Sequence, residues 1–138
     1  MVKGPGIAKG NGVTSNVYLQ DVMATSLELA GITKPNYVEF KSFLSHAKGE
    51  SSEQIYPSIY CGYIDLQRMI RKDGFKLIVY PKIGKVKLFD MQNDPDEMNN
   101  LSEKSEYKTK IQSLFDDLLA LQNEMDDELD ISAVYETL

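Results

Sequence analysis

The chain is short of the residue types that most catalytic and metal sites use. Its 138 residues include one cysteine, one histidine and no tryptophan. The single cysteine, Cys61, has no partner for an internal disulfide, and we interpret it as a small buried hydrophobic residue of a strand rather than a reactive thiol. The single histidine, His46, has no second histidine or nearby cysteine with which to form a zinc site. We expect His46 to be a solvated loop residue and hold it in reserve as a functional candidate.

Long apolar runs and an excess of positive charge are also missing. No stretch reaches the ~18 apolar residues of a membrane-spanning helix, and the N-terminus has no charged-then-apolar signal peptide. The net charge is −6, with 15 Lys and Arg against 21 Asp and Glu, whereas nucleic-acid binding needs clustered positive charge. We therefore expect neither a membrane nor a nucleic acid as a partner, and the compartment stays open.

The middle of the chain predicts an antiparallel β-meander of three to four strands. Strand-like alternation covers 67–72, 75–80 and 85–89, and Asp73-Gly74 between the first two is among the strongest hairpin sequences because both positions tolerate positive φ. Side chains two residues apart share a face. The residues that we expect on the core face are Phe75, Leu77, Val79, Val86 and Leu88.

An N-terminal helix is predicted within 17–30, with Gly31 as its stop. Either it begins at Ser15 or Asn16, or it begins at Asp21, whose carboxylate would then cap the first turn. We prefer the second start because Asp21 would otherwise lie in mid-helix among apolar neighbours. The helix is apolar on nearly every face, so we expect it to be buried, in part by a surface that this chain lacks.

A long C-terminal helix is predicted from Ser105, with apolar side chains at three- and four-residue steps as far as Met125. Acidic residues oppose the helix dipole at that end, so we expect fraying there. Packed on the meander, this helix gives an α+β two-layer fold. We expect three parts: 1–57 with one helix and a long loop, 58–125 with meander and helix, and 126–138 as a loosely held acidic tail.

The acidic segment after the last strand invites a calcium-loop interpretation, which its spacing argues against. An EF-hand loop starting at Asp90 would need glycine where Pro95 stands and glutamate where Leu101 stands. A capping box fits better, with Asp94 as N-cap, Pro95 as first helical residue and Glu97 reaching back to the cap. We therefore predict a short helical turn here and no metal site in the chain.

Five blocks of the sequence occur in a recognisable order. They begin with Gly-Pro-Gly-Ile and end with LFDMQNDPDEMNNL, and the whole set is 4–7, 17–32, 38–44, 59–78 and 88–101. In this order they resemble the C-terminal part of type I sulfatases, in the alkaline-phosphatase-like superfamily. The resemblance implies a small antiparallel sheet carrying a long helix, which agrees with the fold derived above. It also implies that 1–57 is a remnant of the main α/β sulfatase domain.

The chemistry of that family lies in motifs that this sequence does not contain. A Cys or Ser in Cys/Ser-x-Pro-x-Arg becomes formylglycine, and Asp and Asn residues hold calcium, whereas Cys61 is followed by Gly-Tyr-Ile-Asp. The resemblance therefore implies no catalytic residue and no cofactor in this chain, with calcium and formylglycine expected in the missing part of the parent. The implied partners are the missing N-terminal sulfatase domain and a sulfated sugar or aryl sulfate. Parent enzymes are often periplasmic, secreted or lysosomal.

In a complete sulfatase this region is expected to brace the catalytic domain and to form part of the substrate-pocket rim. Our candidates for the rim are Tyr63, Asp65, Gln67 and Arg68. The alternative for Gln67 and Arg68 is hydrogen bonding across the sheet or to the missing domain. A different class of function, a stand-alone non-enzymatic protein-interaction module, also stays open.

Overall fold

The computed structural model describes residues 1–137, which divide into two compact units, 1–57 and Ser58 onward. The first unit contains the helices α1 (Asp21–Leu29) and α2 (Leu44–Lys48). The second unit contains the strands β1 (Ser58–Tyr63), β2 (Gln67–Lys72), β3 (Phe75–Tyr80) and β4 (Lys85–Asp90), and the helices α3 (Lys108–Glu124) and α4 (Ser132–Tyr135). Short 3-10 turns cover Pro81–Ile83 and Ser105–Tyr107. No helix within 1–137 is both long and apolar enough to cross a membrane.

The predicted meander is confirmed as a four-stranded antiparallel sheet. The strands lie side by side in chain order, β1-β2-β3-β4. Between β2 and β3, Asp73 and Gly74 both have positive φ, 51° and 79°. This is the backbone of a type I′ turn, whose twist matches that of the flanking strands. The tight turn fixes the register, with Lys72 opposite Phe75.

The helix α3 covers one face of the sheet, which confirms the α+β fold. Its stripe starts at Ile111 and ends at Leu118, and it packs on strand residues that include Leu77 and Leu88, both fully buried. Phe75 and Val86 border this core and are partly buried. The predicted core face of the meander is therefore correct.

The segment after α3 is not a loose tail, so that expectation is wrong. The helix ends at Glu124, as the acidic residues at its end predicted. The chain then folds back, and α4 follows at Ser132. Ile131 and Val134 are each 1% exposed and belong to the main core cluster. The prediction relied on the acidic composition of this segment and overlooked Ile131 and Val134, two apolar residues three positions apart that anchor it in the core.

A buried ion pair ties this returning segment to the sheet. Arg68, 6% exposed, donates from Nε and Nη2 to both carboxylate oxygens of Asp127, with Nη2 to Oδ1 at 2.9 Å. Tyr60 on β1 donates its hydroxyl to the same carboxylate. The Arg68 guanidinium holds the pKa of Asp127 well below its usual range. Burial, and then the hydrogen bond to Asp127, raise the pKa of Tyr60.

The predicted capping box at Asp94 does not form. Glu97 has a positive φ of 56°, which ends any helix, and its carboxylate binds the ammonium of Lys76 at 2.8 and 2.9 Å. Glu97 therefore forms an ion pair with Lys76 instead of the predicted hydrogen bond to the backbone N–H of Asp94. Asp94 does accept backbone N–H groups, from Met98 at 3.0 Å and Asn99 at 2.7 Å, which lowers its pKa.

The helix α1 begins at Asp21, the preferred of the two predicted starts, but the carboxylate does not cap it. The cap position is Gln20, and it makes no side-chain cap hydrogen bond. Asp21 is fully buried and accepts from Tyr18 N at 2.7 Å, Lys41 N at 3.1 Å and Tyr56 Oη at 2.6 Å. Burial, followed by the bond to Asp21, raises the pKa of Tyr56. The carboxylate therefore binds the long loop to the start of α1.

Replacing Asp127 with asparagine should destabilise the protein by about 3 kcal/mol, because it leaves the buried Arg68 without its counter-charge. Urea unfolding measures the loss. The matched control is Asp126→Asn, which makes the same charge change at an exposed neighbour with φ 52°. Asparagine tolerates that backbone, so the control should stay within about 0.5 kcal/mol of the native protein. Equal effects of the two changes would contradict this account of the ion pair.

The ion pair should also give a defined pH dependence. Because the pKa of Asp127 is lowered on folding, its stabilisation is fully present above the unfolded aspartate pKa of about 3.9. It is lost as the pH falls below that value toward the folded pKa. The difference in unfolding free energy between native protein and Asp127→Asn should thus be constant from pH 7 to pH 5 and shrink below about pH 4. A difference that grows on acidification would rule this out.

Within the first unit, Asp21→Asn should loosen the long loop more than Tyr56→Phe does. In Asp21→Asn an NH₂ group replaces one carboxylate oxygen, so a donor faces the N–H or O–H donors that bind Asp21. In Tyr56→Phe only one hydrogen bond is lost, which is worth about 1 kcal/mol. Hydrogen exchange of the Lys41 amide reports the loop directly. We expect faster exchange in both variants and the larger increase in Asp21→Asn. Unchanged Lys41 exchange in Asp21→Asn would show that the carboxylate does not hold the loop.

Candidate functional site

Three of the four predicted rim residues meet at the hairpin between β1 and β2. Tyr63 ends β1 and lies directly opposite Gln67, which begins β2. Tyr63 is 58% exposed and Gln67 is half-buried. Asp65, in the connection, pairs with Lys82 of the β3–β4 connection at 2.5 Å, and the hydrogen bond from that lysine lowers the pKa of Asp65. These side chains form an exposed polar and aromatic edge of the sheet.

Arg68 lies on the other face of the sheet, under the helix layer. Besides Asp127, its guanidinium donates from Nη1 to the carbonyls of Ile64 at 2.7 Å and Gln67 at 2.8 Å. It also lies over Gly62, where an added Cβ would come within 3.3 Å of it. These contacts are those of the alternative interpretation, hydrogen bonding within the sheet. A direct substrate contact by Arg68 stays a prediction.

Sequence reasoning missed Ile64, the residue with the most unusual backbone in the hairpin. Its φ is +46° and its side chain is 70% exposed. A β-branched residue in the left-handed region costs about 1–3 kcal/mol and persists only when its surroundings hold it there. The hydrogen bond from Arg68 to the Ile64 carbonyl is such a restraint. The sequence carries one hint, since this connection, Ile-Asp-Leu, has neither glycine nor asparagine.

His46 is buried, so the expectation of a solvated loop histidine is wrong. It lies in the short helix α2 and is 6% exposed. Its Nε2 is 2.6 Å from the Glu53 carbonyl oxygen and its Nδ1 is 3.3 Å from Ser45 Oγ. In the neutral ring, Nε2–H donates to the carbonyl and Nδ1 accepts from the hydroxyl. His46 also borders a polar pocket of about 280 Å³ whose other walls are 11–15 and 49–52.

Cys61 is exposed, which corrects its interpretation as a buried hydrophobic residue. It belongs to β1, one of the two edge strands of the sheet, and alternates onto the face away from α3. The positions of β1 that face the core side are those of Tyr60 and Gly62. Among residues 1–137 no three or more His, Cys, Asp or Glu side chains are grouped as metal ligands.

Comparison with known proteins places the chain among sulfatases. Residues 1–124 match the family described as N-sulphoglucosamine sulphohydrolase, C-terminal. Arylsulfatase K of Bos taurus is 31% identical over 117 residues, and the match covers 75% of this chain and 22% of the relative. This chain therefore spans about one fifth of the length of the curated relatives that it matches.

Solved structures share the fold. A protein described in complex with its substrate, D-glucosamine-2-N,6-O-disulfate, is 28% identical, with a TM-score of 0.67 over 78% of this chain and 24% of its own. A 2-O GAG sulfatase is 23% identical, with a TM-score of 0.76 over 98% of this chain and 30% of its own. The second likeness concerns the fold alone. By its family match, this chain belongs to the N-sulphoglucosamine sulphohydrolase C-terminal family and is a C-terminal portion of a sulfatase.

Proposed function

We propose that this chain serves a sulfuric ester hydrolase by bracing its catalytic domain and forming part of the rim of its substrate pocket. In this proposal the catalytic residues, the formylglycine and the calcium ion belong to the remainder of the enzyme. The curated relatives support it, since they are about five times longer than the matched segment. The substrate is then a sulfated sugar or an aryl sulfate.

The exposed apolar side of α1 is the observation that carries the bracing role. Only Ala24 and Thr25, with the buried Asp21, form the covered side of this helix. The side chains left exposed are Val22 at 49%, Met23 at 57% and Leu29 at 59%, flanked by Leu19 at 85% and Ile32 at 55%. Several exposed apolar side chains on one helix of a folded unit are typical of a surface that another protein segment covers. We assign that role to the catalytic domain.

The exposed hairpin end is the part of the chain best suited to the pocket rim. Tyr63 offers an aromatic face with a hydroxyl, and Gln67 beside it offers an amide that both donates and accepts hydrogen bonds. Asp65 is held by Lys82. Arg68 acts in this proposal as a positioning residue, because it restrains the backbone of Ile64 from behind the sheet.

The docking test begins with the coding sequence upstream of Met1, where we expect a segment containing Cys/Ser-x-Pro-x-Arg. Its product, tagged and expressed together with this chain, should retain the chain on an affinity column. Leu29→Lys places a charge in the apolar patch of α1 and should weaken retention at least tenfold, since a buried unpaired charge is costly.

The matched control is Leu119→Lys on α3, the same change at a leucine that is 36% exposed. We expect retention of this variant to equal that of the native chain. Both leucines are exposed, so thermal unfolding should show that both variants fold. An unrelated upstream sequence, or equal retention of native chain and Leu29→Lys, would contradict the proposal.

A further inference from the structure

The strand β1 forms one of the two edges of the sheet, and the turn between β2 and β3 decides which of its backbone groups point outward. The residues that close this two-residue turn, Lys72 and Phe75, exchange hydrogen bonds with each other. Alternate residues of β2 therefore face β3, and the residues between them face β1. The β1 residues opposite this second set are Ile59, Cys61 and Tyr63. The residues whose backbone groups point away from the sheet are consequently Ser58, Tyr60 and Gly62.

The opposite edge of the sheet, at β4, is covered by the chain itself. The same alternation directs the backbone groups of Leu88 outward, and both of them have partners there. The Leu88 N–H donates to Asn100 Oδ1 at 3.0 Å, and the Leu88 carbonyl accepts from the Leu101 N–H at 2.8 Å. Lys85 and Lys87 add charges of the kind that discourage pairing with another strand.

The edge at β1 has neither form of protection. Its sequence, Ser-Ile-Tyr-Cys-Gly-Tyr, contains no charged residue and no proline, whereas each of the other three strands carries at least one lysine. Within residues 1–137, Ser58 and Gly62 make no backbone hydrogen bond beyond the sheet, and the Gly62 carbonyl has only the Cys61 thiol at 3.9 Å. Such an edge is a template for another strand, which is why proteins usually protect it.

The side chains beside this edge define the kind of strand that fits. On the face away from α3, β1 presents Ile59, Cys61 and Tyr63, all of them uncharged. The alternate side chains of an added strand would pack against these three, so small or apolar residues suit that strand and charged residues do not. A strand that follows all six residues of β1 is about 20 Å long.

We propose that β1 accepts a further strand by backbone pairing, and that this strand comes from the catalytic segment of the sulfatase. The length of the relatives favours this occupant, because the match covers only 22% of arylsulfatase K of Bos taurus and most of such an enzyme lies outside it. The inference rests on the proposed function for the identity of the partner. It adds a contact made by backbone hydrogen bonds to the contact made by the exposed apolar side of α1. A second copy of this chain is the competing occupant.

Hydrogen exchange of single amides tests this pairing directly. In the chain alone, the Gly62 amide should exchange faster than the Cys61 amide, because the Cys61 N–H faces β2 and the Gly62 N–H faces solvent. Addition of the upstream-encoded segment of the docking test should slow exchange at Gly62 by about tenfold, since a paired strand supplies an acceptor for its N–H. Exchange at Cys61 should change less.

A pair of variants at Ser58 separates the backbone contact from any side-chain contact. Ser58→Pro removes one outward N–H group at the first residue of the strand, a position where proline is tolerated. Retention by the upstream-encoded segment should weaken about fivefold, the effect of losing one backbone hydrogen bond. The matched control, Ser58→Ala, keeps the N–H group and should be retained like the native chain. Thermal unfolding checks that both variants fold, and exchange at Gly62 in the native chain decides the question if Ser58→Pro does not.

Each other outcome overturns the inference. Retention of the segment with an unprotected Gly62 amide, or equal retention of Ser58→Pro and Ser58→Ala, contradicts it and leaves the bracing role of α1 standing. A chain that is dimeric by itself, with Gly62 protected in the dimer and exposed on dilution, identifies a second copy as the occupant. Absence of any retention contradicts this inference and the proposed function together.

Discussion

The ion pair between Arg68 and Asp127 is the interaction on which the second unit depends. It lies between side chains that are 8% and 18% exposed, so its bidentate hydrogen bonds act with little competition from water. Asp127 lies three residues beyond the end of α3, and Tyr60 donates to the same carboxylate. The pair therefore turns the chain back toward β1 and β2. That return carries Ile131 into the core, where it becomes almost fully buried.

The same guanidinium connects the buried side of the sheet to its exposed hairpin. Arg68 has donors left after binding Asp127, and one of them restrains the carbonyl of Ile64. A strained, exposed backbone at Ile64 is thereby coupled to a buried electrostatic contact. Gly62 leaves room for this, because a Cβ there would press on the guanidinium. The backbone at the proposed pocket rim is thus linked through Arg68 to Asp127, which lies 59 residues away from Arg68 in sequence.

The sequence sufficed for features governed by local chemistry. Strand alternation and Asp73-Gly74 predicted the meander, and helical spacing predicted α3 and its end. Features governed by long-range partners were not predictable in the same way. Glu97 was predicted to be a capping residue, but its carboxylate pairs with Lys76 of β3. His46 was predicted to be solvated, but its ring lies against the Glu53 carbonyl. Among the rim candidates, period-two alternation separates Arg68 from its neighbours, but its partner Asp127 lies 59 residues away.

The family match and the exposed apolar side of α1 lead to one account, in which this chain completes a sulfatase whose chemistry resides in another segment. Aryl sulfate turnover tests that account most directly. It should be measured with this chain alone, with the upstream-encoded segment alone, and with the two together. The account predicts no turnover by the chain alone and turnover by the two together well above that of the segment alone. Turnover by the purified chain alone, or no gain on mixing, would contradict it.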